Sequence, residues 1–264
     1  MHQYIIFLHS QSPRAGHNFT AEVIRLLTSC HTPIEPTSEI PLAGLVGTLE
    51  TKTKSFHLAP AAEKYSIDLF FSGLREKILI DSKTNLLIKF TSFEGVENLK
   101  SCFPDDLHLL LIRDPKDVLL SQFKAKAKHD RKSVLKRLVL PFGLYHFHYA
   151  RVYSKRISKT LPDFNKFTLI KYEALVLKEA ETLNNLLQVF NSSLSLEEFG
   201  NQISNIKVIN TSFYKEETQA EKLWEATTRT TAFNPINRKK GFNRLQLLGI
   251  TLGCRSLRKK MNYI

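Results

Sequence analysis

Short apolar runs alternate with stretches of helical period along this chain. Residues 4–8, 85–89, 107–112 and 167–171 are compact runs built mainly from Ile, Leu and Phe, each bounded by polar or turn-forming residues. Runs this short and this apolar predict strands of a sheet covered on both faces. The run at 107–112 is the clearest, and Pro115 then opens a helix in its first turn, where a missing N–H costs nothing. Helical period is predicted for residues 20–27, 61–80, 116–128, 133–159 with a kink or break at Pro141, 177–189, 196–203 and 245–260. Residues 28–60 carry Pro33, Pro36, Pro41 and Pro60, which predicts one short strand and a long irregular connection. Residues 237–244 read as a basic, Gly-containing loop. Strands alternating with helices predict an α/β fold with a parallel sheet. Without repeats or a Gly/Ser-rich linker to mark a boundary, residues 1–264 read as a single domain.

The stretch from Ser10 to Phe19 stands out within that pattern. It reads as a strand end, a tight loop containing Pro13 and Gly16, and a helix start. Free backbone N–H groups and the positive end of a helix dipole beside Arg14 make a pocket for an anion. The same residues would also serve as an ordinary strand-to-helix connection.

Charge strengthens the anion reading without choosing the anion. Among 264 residues, 38 Lys and Arg outweigh 25 Asp and Glu, a formal net charge of +13. This favours nucleotides, sulfated or phosphorylated molecules, nucleic acid or a membrane surface as partners. Cys30, Cys102 and Cys254 are far apart with no CxxC pair, so neither a disulfide framework nor a zinc site is expected. No run approaches the roughly 18 apolar residues of a membrane span, and the first strand begins almost at Met1. A soluble, cytoplasmic protein is expected.

A nucleotide kinase or NTPase needs GxxxxGK followed by Ser or Thr, which this chain lacks. Instead Pro13, Arg14, Ala15, Gly16, His17, Asn18 and Phe19 resemble the 5′-phosphosulfate loop Pro-Lys-Ser-Gly-Thr-Thr-Trp of sulfotransferases that use 3′-phosphoadenosine 5′-phosphosulfate (PAPS). Four further segments are similar to that family's, in the same order. Ile112, Arg113, Asp114, Pro115, Lys116 and Asp117 resemble its 3′-phosphate segment, and Ser121 keeps the spacing of eight from Arg113. Lys171, Tyr172 and Glu173 look like its Arg-Tyr-Glu, and Thr211, Ser212 and Phe213 match its Thr-Ser-Phe. Arg238, Lys239, Lys240 and Gly241 resemble its late Arg-Lys-Gly loop, although Arg244 stands where a second Gly is usual.

The resemblance implies a three-layer α/β/α, P-loop-NTPase-like architecture that binds PAPS, without a metal, and transfers its sulfonate to a hydroxyl or amine of a small-molecule, glycan or lipid acceptor. It implies that Arg14 and the loop amides stabilise the leaving side, that Lys89 contacts the sulfonate, and that Arg113, Ser121 and the 238–241 loop hold the 3′-phosphate. Phe19, Tyr172, Thr211 and Phe213 would then meet the base. The general base is the departure: Thr91 stands at the position where many relatives have His, and a hydroxyl cannot serve near neutral pH. Other branches use a Glu after the first helix, which points to Glu35, with Glu39 close behind, and His57 is a further choice. The alternatives are a catalytically degenerate member, or a basic α/β protein that binds nucleic acid or an anionic membrane, the tail from Arg255 to Lys260 included; under the sulfotransferase reading nucleic acid is not an expected partner, and the tail is a candidate for membrane contact.

Overall fold

A computed structural model describes residues 3–33, 39–57, 59–71, 73–80, 82, 84–126, 140–209, 226–227, 236, 239 and 241–264. Its centre is a parallel sheet of five strands, β1 (Ile5–Ser10), β2 (Cys30–His31), β3 (Asn85–Phe90), β4 (Leu107–Ile112) and β5 (Thr168–Lys171), in the order β2-β3-β1-β4-β5. A two-stranded antiparallel ribbon, β6 (Val208–Ile209) with β7 (Ala226–Thr227), lies apart from it.

Strand side chains alternate between two cores. Ile5, Phe7, Ile88, Leu110 and Ile112 enter one, and Ile6, Leu8, Leu87, Leu109 and Leu111 enter the other. The runs at the centre of β1, β3 and β4 are therefore apolar, as their sequence suggested, because both of their faces are dry. The first core is roofed by α2 (Leu42–Ser55), α4 (Leu74–Leu79), α5 (Val96–Cys102), α6 (Pro115–Lys126), α7 (Leu144–Lys159), α11 (Arg244–Gly253) and α12 (Arg255–Lys260). The second is roofed by α1 (His17–Leu27), α8 (Tyr172–Leu177), α9 (Ala180–Val189) and α10 (Leu196–Asn205). The result is the three-layer α/β/α arrangement, with α3 (Pro60–Phe71) at its margin, none of whose side chains is buried.

Several boundaries differ from the sequence reading. The stretch read as an irregular connection contains the fourteen-residue helix α2. Its Gly47 lets it lie close to Gly95, since a Cβ there would stand 3.0 Å from the Gly95 Cα, and this close fit is invisible to an apolar period. The helix expected over 61–80 is two helices separated at Gly73, which takes φ +70. Lys178 at φ 57 likewise separates α8 from α9. Residues 140–143 form a turn, as a break at Pro141 requires, and α7 begins after Gly143; residues 127–139 lie outside the described residues. The last helix is divided at Cys254 into α11 and α12.

The end of the sheet opposite the loop is braced by Asp106. Its buried carboxylate accepts from Ile5 N at 2.7 Å and from Arg75 Nε at 2.9 Å, while Arg75 also donates to Gln3 O. Among the described residues no helix is long and apolar enough to cross a membrane.

Candidate functional site

Strand register gathers the sequence's polar strand ends at one edge. Leu8 pairs with Lys89, Ser10 with Leu111, and Ile112 with Lys171. The 11–16 loop, Lys89, Arg113 and Tyr172 therefore emerge together at the carboxyl ends of β1, β3, β4 and β5, the edge where open α/β sheets bind ligands.

The loop is built by two left-handed residues, Arg14 at φ 77 and Gly16 at φ 107. Gly16 has a second constraint: a Cβ there would meet the Tyr172 ring at 2.2 Å. Only glycine satisfies both. Helix α1 starts directly after this residue with neither a side-chain cap nor an acidic residue in its first turn, a helix end suited to an anion. Below the loop, Ser12 Oγ lies 2.9 Å from Tyr153 Oη, and Gln11 Nε2 donates to the same phenol. Burial pushes the Tyr153 hydroxyl up to about 12, so it stays protonated. Gln11 and Ser12 lie in the stretch singled out from sequence but were given no role there, and Tyr153 was not singled out; a polar Gln-Ser pair directly after an apolar strand was the available signal.

Arg113 joins the loop to the next two strands. Its backbone N donates to Gln11 Oε1 at 3.0 Å, its guanidinium donates to Arg14 O at 3.0 Å, and the same guanidinium lies over the Tyr172 ring at 4.4 Å. Phe19 meets that ring edge-on, with centroids 6.0 Å apart. Tyr172 is only 5% exposed, so it supports Gly16, Phe19 and Arg113 from beneath. Ser121 is buried on α6, the helix that starts beside Arg113.

A further layer, also unread from sequence, holds this hinge. Glu173 Oε1 accepts from Asp114 N at 2.8 Å and its Oε2 accepts from Tyr263 Oη at 2.9 Å. Asp114 in turn accepts two hydrogen bonds from Arg258, each 2.9 Å. Burial raises the Glu173 carboxyl, a shift opposed by these hydrogen bonds.

On the other side of the loop stands a cluster of four polar residues. Lys89 Nζ donates to Asn18 Oδ1 at 2.8 Å, and His17 Nε2 lies 2.8 Å from Glu39 Oε1. A parallel bridge pairs Glu39 with Lys89, and Ile40 N donates to Lys89 O, which fixes Glu39 beside the end of β3. The hydrogen bond from His17 holds the Glu39 carboxyl below its ordinary value, and the Lys89 charge adds to this. The Glu39 side chain is 36% exposed against 11% for His17, so the carboxylate is the member that can reach a substrate.

His57 is not brought here. It follows the far end of α2, and the fourteen residues of that helix span about 21 Å at 1.5 Å per residue. The bridge that brings Glu39 to Lys89 has no counterpart for His57 among the described residues. Lys239 and Gly241 lie in a turn closed by Phe242 N donating to Lys239 O at 3.2 Å, with Gly241 at φ 93. Phe242 packs on Phe123 of α6, two residues beyond Ser121. Glu35, Thr211, Phe213, Arg238 and Lys240 lie outside the described residues.

A family model described as "Sulfotransferase family" matches residues 24–195, more than half of the chain. The match begins beyond the loop, so it does not depend on how Pro13 to Phe19 are read. No curated protein sequence matches significantly. Among solved structures the chain is similar to the sulfotransferase domain from the curacin biosynthetic pathway, with 14% identity and a TM-score of 0.42 over 100% of this chain and 99% of that one. It is similar to the sulfotransferase domain of the Synechococcus PCC 7002 olefin synthase, with 15% identity and a TM-score of 0.44 over 100% and 97%. Mouse sulfotransferase SULT7A1 complexed with PAP gives 14% identity and a TM-score of 0.46 over 100% and 86%.

Proposed function

Because this chain belongs to the sulfotransferase family, we propose that it transfers a sulfonate group from PAPS to a hydroxyl or amine acceptor, as one domain. The observation that carries this reading is the meeting of the 11–16 loop, Lys89 and Arg113 at one carboxyl edge of the sheet. Arg14, the open start of α1, Arg113 and Ser121 are donors suited to a polyanion, which supports this reading. When bound, PAPS supplies the sulfonate and an anionic leaving group.

The protein's own contributions follow from position. Arg14 and the first-turn amides of α1 stabilise negative charge on the leaving side, electrostatic preorganisation that needs no rearrangement during reaction. Lys89, steadied by Asn18, orients the sulfonate. Arg113 and Ser121 bind the 3′-phosphate together with Arg238, Lys239, Lys240 and Gly241. Phe19, Thr211 and Phe213 meet the adenine, while Tyr172 works through the residues packed on it. Glu39 takes the acceptor's proton: it is ionised at neutral pH, partly exposed, oriented by His17 and next to Lys89. A reducing, cytoplasmic setting belongs to the same reading, in keeping with the free thiols of Cys30, Cys102 and Cys254.

The test is mass spectrometry of a metabolite extract incubated with the protein and isotopically labelled PAPS. A labelled sulfonate gained by a defined compound, and lost with Lys89→Ala, supports the proposal. Folded protein that binds the donor yet modifies nothing across hydroxyl and amine acceptors would replace it with a catalytically degenerate binding protein.

A further inference from the structure

A second basic site lies on the outer helical layer, away from the residues assigned above. Helices α7 and α11 run in the same direction in unusually close contact. A Cβ on Gly253 would stand 2.6 Å from both the Ala150 Cβ and the Phe147 carbonyl, and one on Gly249 would stand 2.4 Å from the Gly143 carbonyl. Ser154 Oγ donates to Gly253 O at 3.2 Å across the same seam. Where the seam opens onto α12 there is a cavity of about 870 Å³.

Its walls carry Arg151 and Lys155 from α7 and Arg255 and Lys259 from α12, with no Asp or Glu among the described lining residues. Each pair is spaced i, i+4, so like charges stack on one face of each helix, an arrangement that is unfavourable until an anion compensates it. All four are exposed. Leu252 and Ile264 line it and are 49% and 59% exposed, and Val152 of α7 and Leu248 of α11 are exposed on helices that also supply lining residues. Leu245, Leu248 and Leu252 form a stripe along α11 that continues into the cations of α12.

We infer that this face docks on the surface of an anionic phospholipid bilayer. Four cations meet lipid phosphate and carboxylate headgroups, while the adjacent aliphatic side chains enter the boundary with the acyl chains. The charge complementarity decides the sign of the partner, and the aliphatic stripe decides its kind. A soluble phosphate gains nothing from exposed leucines. A single-stranded nucleic acid would favour stacking aromatics, of which this cavity has only Phe147. The inference is independent of the donor-site proposal, because none of these residues belongs to that site.

Vesicle co-sedimentation of the full chain tests it, using phosphatidylcholine with phosphatidylserine against phosphatidylcholine alone. Binding is expected only to the anionic vesicles and should weaken with added salt. Lys155→Gln with Lys259→Gln should lower the partition coefficient about fivefold for each cation removed. Leu248→Gln with Leu252→Gln should lower it as well, with the melting temperature and PAP binding kept as checks on folding. Equal binding to neutral vesicles, no binding to either, or wild-type binding by folded Lys155→Gln/Lys259→Gln would overturn the proposal. Vesicle binding unaffected by the leucine substitutions and abolished by soluble RNA would assign the face to nucleic acid instead.

Discussion

His17 Nε2 lies 2.8 Å from Glu39 Oε1, joining the first residue of α1 to the segment that pairs with the end of β3. In the sulfotransferase loop this chain resembles, His17 stands at a Thr position, and the Thr91 position lacks the family His. The pair puts a carboxylate beside Lys89. Replacing Glu39 with Gln should lower kcat by about 10²–10⁴-fold, the usual contribution of a positioned base, with little change in affinity for adenosine 3′,5′-bisphosphate. Steady-state kinetics paired with calorimetry checks both halves.

The same pair sets a pH dependence. The His17 hydrogen bond lowers the Glu39 pKa from 4.5, so the carboxylate stays ionised through the ordinary carboxylate range and is protonated only below it. Removing the donor with His17→Ala should move the acid limb of kcat/KM upward. For stability the sign agrees: a depressed folded-state pKa contributes above the unfolded value, and that contribution is lost as pH falls through the folded value. An unchanged limb in His17→Ala would remove His17 as the group that tunes Glu39.

The carboxy-terminal helix should govern donor affinity without touching donor. Arg258 makes two 2.9 Å hydrogen bonds to Asp114, and Tyr263 donates to Glu173, which accepts from Asp114 N. Arg258→Ala leaves the Asp114 carboxylate without that partner and loosens the turn carrying Arg113. Affinity for adenosine 3′,5′-bisphosphate should fall about tenfold, the scale of a charged hydrogen bond, while kcat at saturating donor changes little. Arg258→Lys, which keeps the charge but loses the paired geometry, should recover only part of the loss.

Asp106 is a purely structural counterpart at the opposite end of the sheet. Its side chain is fully buried and serves both Ile5 N and Arg75. Asp106→Ala should destabilise the fold by about 3–5 kcal/mol in urea unfolding, because a buried donor and a cation lose their acceptor together.

Strand positions were legible because a doubly covered strand has a one-line signature, and the runs at 85–89 and 107–112 carry it. The placing of the 11–16 loop between strand and helix, of Arg113 at a strand end and of Ser121 on the helix that follows was legible through local spacing. What escaped was set by tertiary contact. Helix α2 is shaped by the approach of Gly47 to Gly95, and its interrupting prolines lie outside it. Tyr172 was expected at the adenine, yet its ring is taken up by Gly16, Phe19 and Arg113. Glu35, Glu39 and His57 were all candidate bases from sequence, and it is a tertiary contact, the bridge from Glu39 to Lys89, that marks Glu39. Tyr153 and Arg258 reach the site from more than a hundred residues away, and no local pattern announces such a partner.

Calorimetric titration with adenosine 3′,5′-bisphosphate tests the central claim most directly. One binding site is expected in the intact chain, weakened at least about tenfold by Arg14→Ala and by Arg113→Ala, each removing a charge-assisted contact, and left at wild-type strength by Lys155→Gln. A folded wild-type protein that takes up no bisphosphate, or folded Arg14→Ala and Arg113→Ala proteins that bind it as wild type does, would contradict the assignment of the carboxyl edge as the donor site.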